Sequence, residues 1–197
     1  MKFIFTITIL LSIILFTSCS GKKERKIVLE TTDIEEQMIE AYNKGLEALD
    51  EGDALYAAKN FNTVENIYPQ SIWAPRSVLM AAYSYYSGDY YGDAISELKR
   101  FLNNYPTNKN YPYAYFLIAT CYYELIVDEK KDLSAIIKSK EYYNIIVNKY
   151  PNTDFSLDAK FKLLMIDNIL ASKEIYIGQY YVTKKKWIPA INRFKNV

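Results

Sequence analysis

The chain has 197 residues, half of them hydrophobic, with 24 basic against 23 acidic side chains, 20 tyrosines and no histidine. That is enough for one ordinary domain or a short repeat array with a sizeable core, while the balanced charge offers no basic stripe for nucleic acid. The lack of histidine excludes a Ser-His-Asp or Cys-His site and every histidine-ligated metal centre, and the glycines (Gly21, Gly45, Gly52, Gly88, Gly92, Gly178) form neither a phosphate-binding loop nor a dinucleotide fingerprint, so no cofactor is expected.

The N-terminus reads as an address. Lys2 precedes an apolar stretch from Phe3 to Phe16, then small residues and Cys19. A basic start, a short apolar core and a small-residue end describe an export signal, and the core is shorter than the roughly 20 residues that span a bilayer. Leu15-Phe16-Thr17-Ser18-Cys19 resembles a bacterial lipobox, with Phe16 where leucine is usual. On that resemblance residues 1–18 are a lipoprotein signal peptide and Cys19 is the lipidated first residue of the mature chain. An ordinary signal peptide with an incidental cysteine is the alternative. Ser20, where aspartate favours inner-membrane retention, is compatible with transfer to the outer membrane. Residues 19–33 are charged and lack periodicity, and read as a flexible tether.

Helical repeats occupy 34–197. The frame Asn-x-Tyr-Pro occurs at Asn66–Pro69, Asn103–Pro106 and Asn148–Pro151, each time after a segment of helical periodicity. Proline cannot continue a helix, so each copy is a stop. A stop recurring after 37 and then 45 residues means that one supersecondary unit is stacked. The first unit carries Gly45, Ala48, Ala57 and Phe61, with Gly52-Asp53 at its turn; the second carries Ala82, Tyr85, Ala94 and Leu98, with Gly88-Asp89 at its turn. These positions match the tetratricopeptide pattern, in which small residues let paired helices approach and a larger one fills the gap. The third unit repeats the first helix as Ile118–Tyr123, has a turn eight residues longer around Asp128–Asp132, and predicts a second helix over 134–149. Cys121 lies in the apolar pattern and reads as a small buried hydrophobe. Asn152-Thr153-Asp154 starts another helix, predicted to about Leu170. Gly178, Tyr181, Ala190 and Phe194 fit the frame once more, without a closing Tyr-Pro before Val197. The expectation is an all-α tetratricopeptide solenoid of about five repeats, C-terminally truncated, in which one helix serves both the fourth and the fifth unit.

Stacked helix pairs make concave binding surfaces. Counting from each proline, the first helices place Tyr42, Leu46 and Asp50, then Arg76, Leu79, Tyr83 and Tyr86, then Tyr113, Phe116, Thr120, Tyr123 and Glu124 on one wall. Tyrosines around one arginine suit an extended peptide ending in an aromatic residue and a carboxylate.

The lipobox, the spaced Tyr-Pro stops and the expanded third turn, together with two runs, carry a family resemblance. One run is Tyr150–Phe155 followed by Asp158-Ala159-Lys160; the other is Glu174-Ile175-Tyr176, Tyr180-Tyr181, Trp187, Ala190 and Asn192-Arg193. The chain resembles the BamD (YfiO/ComL) family of outer-membrane assembly lipoproteins. The resemblance implies a non-enzymatic, periplasm-facing scaffold of the β-barrel assembly machinery, held at the outer membrane by its lipid. It implies as partners a BamA-like barrel protein, other Bam lipoproteins and unfolded outer-membrane protein clients. Contact with a BamA-like POTRA domain would fall on Trp187, Asn192 and Arg193, and clients would meet the Tyr42–Tyr123 wall. Two other readings remain at this level. One is a different periplasmic tetratricopeptide lipoprotein, acting as an adaptor in cell-envelope or division complexes. The other is a carboxylate-based enzyme using Glu35, Glu36, Glu47, Asp50 and Glu51, which a solvated helix face explains more simply.

Overall fold

The structure is a computed structural model describing the backbone of residues 23–126 and 132–197, with side chains from residue 33. The signal peptide, Cys19, and all but the last residue of the Asp128–Asp132 turn lie outside the described residues.

Eight helices make up the described residues: α1 Lys23–Asp50, α2 Ala54–Ile67, α3 Ala74–Ser87, α4 Tyr91–Asn104, α5 Tyr111–Glu124, α6 Ser134–Lys149, α7 Asp154–Thr183 and α8 Trp187–Phe194. They stack as consecutive antiparallel pairs. The fold is the all-α tetratricopeptide-like array that the frame predicts. The backbone is helical from Lys23, so the part of the expected tether from residue 23 to residue 33 is continuous with α1.

Local chemistry sets the ends. Tyr68, Tyr105 and Tyr150 of the three Tyr-Pro stops each occupy the position after a helix, their N–H groups donating to Val64, Phe101 and Ile146 carbonyls. Asp53 caps α2 by accepting from the Tyr56 N–H at 3.0 Å, and Thr153 caps α7 through the Ser156 N–H at 3.2 Å; each such cap is worth about 1 kcal/mol. Gly52 turns the first pair with φ +82°, a conformation side chains resist. In the second pair Asp89 takes that role, with φ +63°.

The frame residues meet in space. Gly45 of α1 lies under the Phe61 ring of α2, so close that an added Cβ would sit 2.8 Å from it. Gly178 of α7 is packed in the same way by Phe194 of α8. Ala48, Ala57 and Phe61 are buried in the first core cluster, Ala82, Ala94 and Leu98 in the second. A third cluster joins Ala119 of α5 and Tyr143 of α6 to Ala159 and Ile166 of α7. Cys121 is fully buried in the second cluster, and burial pushes its thiol up to about 12.

A polar clamp ties the first two pairs. Glu65 of α2, itself buried, accepts from the Arg100 guanidinium and, at 2.7 Å, from the Tyr105 hydroxyl. Arg100 also reaches Glu97 and Asn62. A lone carboxylate at this depth would cost several kcal/mol, so partners on both sides are required.

α7 runs past the predicted stop near Leu170 as one 30-residue helix. Residues 171–177 contain no proline or glycine to break it. It therefore occupies the places of both the fourth and the fifth first helices, and α8 packs back on its C-terminal half.

Candidate binding wall

Arg76 stands at the centre of the wall. It lies in the first turn of α3, after Pro75, which tolerates the helix start because it needs no amide partner there. Its guanidinium carbon is 5.6 Å from the centroid of the Tyr42 ring and 5.7 Å from that of Trp73. Tyr42 is held edge-on by Phe61 at 5.2 Å and by Trp73 at 5.5 Å. No acidic side chain among the described residues pairs with Arg76. Stacking on aromatic faces leaves the N–H edges of a guanidinium open for a bidentate carboxylate.

Two clefts open on either side of this cation. One, of about 200 Å³, is lined by Met38, Ile39, Tyr42, Val64, Trp73 and Arg76. The other, of about 300 Å³, is lined by Arg76, Leu79, Met80, Lys109, Tyr113 and Phe155, with Asn110. The first is apolar apart from Arg76 and Asn43 and suits an aromatic or aliphatic side chain. The second adds a cation, Lys109, and an amide.

Of the residues expected on the wall, Tyr42 and Arg76 meet directly. Tyr83 and Tyr86 lie beside each other, 6.4 Å between ring centroids, and Tyr86 leans on Tyr91. Tyr113 and Phe116 both pack against Phe155, at 5.8 and 5.5 Å. Burial pushes the Tyr113 hydroxyl up to about 12, so it stays a protonated donor at neutral pH. Tyr123 lies further along, under the ammonium of Lys162 at 4.7 Å. Leu79 is buried and contributes to the floor of the second cleft. Leu46, Asp50 and Glu124 are exposed. Thr120 departs from the expectation: it is buried, with its hydroxyl on the Phe116 carbonyl at 3.0 Å and beside the Tyr143 hydroxyl at 3.1 Å. Trp73 and Phe155 were not foreseen. Trp73 precedes α3, and Phe155 belongs to the next pair, so counting along first helices passed over both.

The other expected contact site lies on α8. Trp187 and Asn192 are exposed. Arg193 is engaged within the chain: its Nη1 donates to Glu174 Oε1 at 3.1 Å and Oε2 at 3.3 Å, and Asn196 donates to the same carboxylate at 3.1 Å. These donors hold the Glu174 carboxyl below the usual carboxylate range, Asn196 foremost. The pair fastens α8 to α7 across the face where a partner contact was expected.

Glu35, Glu36, Glu47, Asp50 and Glu51 are all exposed and converge on no cleft. Among the described residues no helix is long and apolar enough to cross a membrane.

A family model described as YfiO, outer membrane lipoprotein, matches residues 34–197. The outer membrane protein assembly factor BamD of Caulobacter vibrioides is 37% identical over 180 residues, covering 91% of this chain and 58% of the relative. The protein of the same name from Rickettsia prowazekii is 35% identical over 179 residues, covering 91% of this chain and 69% of the relative. The chain thus spans between about half and two thirds of the length of these relatives. Among solved structures, a crystal structure of MamA protein aligns with 82% of this chain and 90% of its own at a TM-score of 0.40 and 19% identity.

Proposed function

The chain belongs to the YfiO family of outer membrane lipoproteins, and from that premise we propose that it is a non-enzymatic scaffold of the β-barrel assembly machinery, anchored through a lipid on Cys19 and facing the periplasm. Its task is to help fold and insert outer-membrane β-barrel proteins. It does so by holding a BamA-like barrel protein through a POTRA domain, alongside other lipoproteins of the complex. Trp187 and Asn192 offer the exposed contact for that domain. Arg193 keeps α8 in place and presents its remaining N–H groups outward.

The wall around Arg76 is the site for unfolded clients. The observation that carries this part is the unpaired guanidinium stacked on Tyr42 and Trp73 between two clefts. A peptide C-terminus supplies the complementary groups: a carboxylate for Arg76 and an aromatic side chain for the apolar cleft. Tyr83, Tyr86, Tyr113, Phe116 and Tyr123 continue the aromatic surface that an extended segment would follow. The test is binding of a C-terminal peptide from a barrel protein to the chain and to the variant carrying Arg76→Ala and Tyr83→Ala. A loss of about tenfold or more is expected for a buried charge-assisted contact. Unchanged affinity would remove the wall from the proposal and leave the scaffold role to stand on the partner contact.

A further inference from the structure

The end of the α7–α8 pair carries a feature that neither the client wall nor the POTRA contact uses. The core clusters of the array involve α7 only as far as Leu170. Beyond that point the helix has thirteen residues to Thr183, a projection of about 20 Å at 1.5 Å per residue, with α8 folded against it. The tip is the turn Lys184-Lys185-Lys186, in which Lys185 adopts φ +57°. All three lysines are exposed, and none has an acidic partner among the described residues. Lys184 rests its ammonium over the Tyr180 ring at 5.7 Å. Apolar groups flank the cations: Ile188 is 75% exposed, Trp187 59% and Tyr180 55%.

The local charge balance differs from that of the chain. From Ile175 to Val197 there are five basic residues and no acidic one, whereas the whole chain carries a net charge of +1. The nearest carboxylate, Glu174, is already occupied by Arg193 and Asn196. A projecting turn with three cations, an indole and a branched aliphatic side chain matches the chemistry of a bilayer interface. Lysines pair with anionic headgroups, the amphipathic indole sits at headgroup depth, and the isoleucine enters the acyl boundary.

We propose that the Lys184–Ile188 tip docks on an anionic phospholipid surface, giving the protein a second membrane contact besides its N-terminus. A convex tip favours this occupant over an acidic protein surface, which would need a cleft to bury Ile188 and Trp187. The docking depends on salt, because the lysines act within a Debye length of about 10 Å at 0.1 M.

The test uses the full chain with Trp73→Phe, leaving Trp187 as the single indole. It is mixed with vesicles of phosphatidylglycerol and phosphatidylcholine, or of phosphatidylcholine alone, each with and without brominated acyl chains. Flotation measures how much protein is bound, so attachment through the N-terminus is scored apart from the tip. Among floated molecules, Trp187 emission is expected to fall about twofold in brominated anionic vesicles and to stay unchanged in brominated neutral ones. Replacing Lys184, Lys185 and Lys186 by Gln is expected to abolish the quenching, each lysine contributing about fivefold to tip affinity. Protein that floats without quenching is held by its N-terminus alone and overturns the proposal. Equal quenching in both lipids, or quenching that survives the lysine substitutions, overturns it as well. So does emission that responds only to an added POTRA fragment, a result that would at the same time support the scaffold reading.

Discussion

The first three helix pairs and the α7–α8 hairpin use the same residue frame to different ends. In the first pair Phe61 covers Gly45 and is fully buried, because α3 closes the other side. In the last, Phe194 covers Gly178 and is still 41% exposed. The arginines follow the same division. Arg100 belongs to a clamp with a buried carboxylate between two pairs; Arg193 belongs to a half-exposed pair within one hairpin. A repeat motif thus specifies how two helices approach, and the neighbours decide how much that approach stabilises. The inner pairs are built to hold a fixed wall. The projecting hairpin has more of its surface left for other molecules.

The largest effect that sharpens this contrast is on the frame phenylalanines. Phe61→Ala should cost about 4 kcal/mol, and Phe194→Ala about 1 kcal/mol, because its ring is partly in water already. Denaturant midpoints of the two variants measure the difference, and equal losses would break the contrast. Next, Arg100→Ala strands the buried Glu65 and should cost about 3 kcal/mol, whereas Arg193→Ala should cost at most about 1 kcal/mol. Thermal unfolding of both reports on this directly.

Alkaline pH separates the regions too. Tyr143 is fully buried in the third cluster, and burial pushes its hydroxyl up to about 12. The folded state therefore favours the neutral form relative to the unfolded chain, whose tyrosines titrate near about 10. Its contribution is complete below that value and is lost as pH rises to about 12, amounting to about 2 kcal/mol. Chemical denaturation at pH 9 and pH 12 should show this loss in the wild type and much less of it in Tyr143→Phe. The smallest effect concerns the wall. Arg76→Ala should change stability by less than about 0.5 kcal/mol, since the side chain is exposed and has no carboxylate partner; a large loss would make Arg76 a structural residue.

Much of the fold was legible because its punctuation is local. The Tyr-Pro stops mark the ends of α2, α4 and α6, and the glycine–aromatic frame marks the close approaches. The full length of α7 was less legible: the repeat spacing asks for an interruption after Leu170, but nothing in residues 171–177 supplies one. On the wall, Tyr42 and Arg76 were legible from helical spacing. Trp73 and Phe155 were not, since one sits outside the helices and the other comes from the following pair. The tie between Arg193 and Glu174 depends on how two helices fold back on each other, and a count along one helix cannot give it.

The most direct test of the scaffold role is capture of the full chain by an immobilised POTRA-domain fragment of the barrel protein from the same organism, with Trp187→Ala and Arg76→Ala in parallel. The expected result is a stable complex with the wild type and with Arg76→Ala, and a loss of about tenfold with Trp187→Ala, as for an exposed aromatic anchor at an interface. No complex with the wild type at micromolar concentration would contradict the role proposed for this chain.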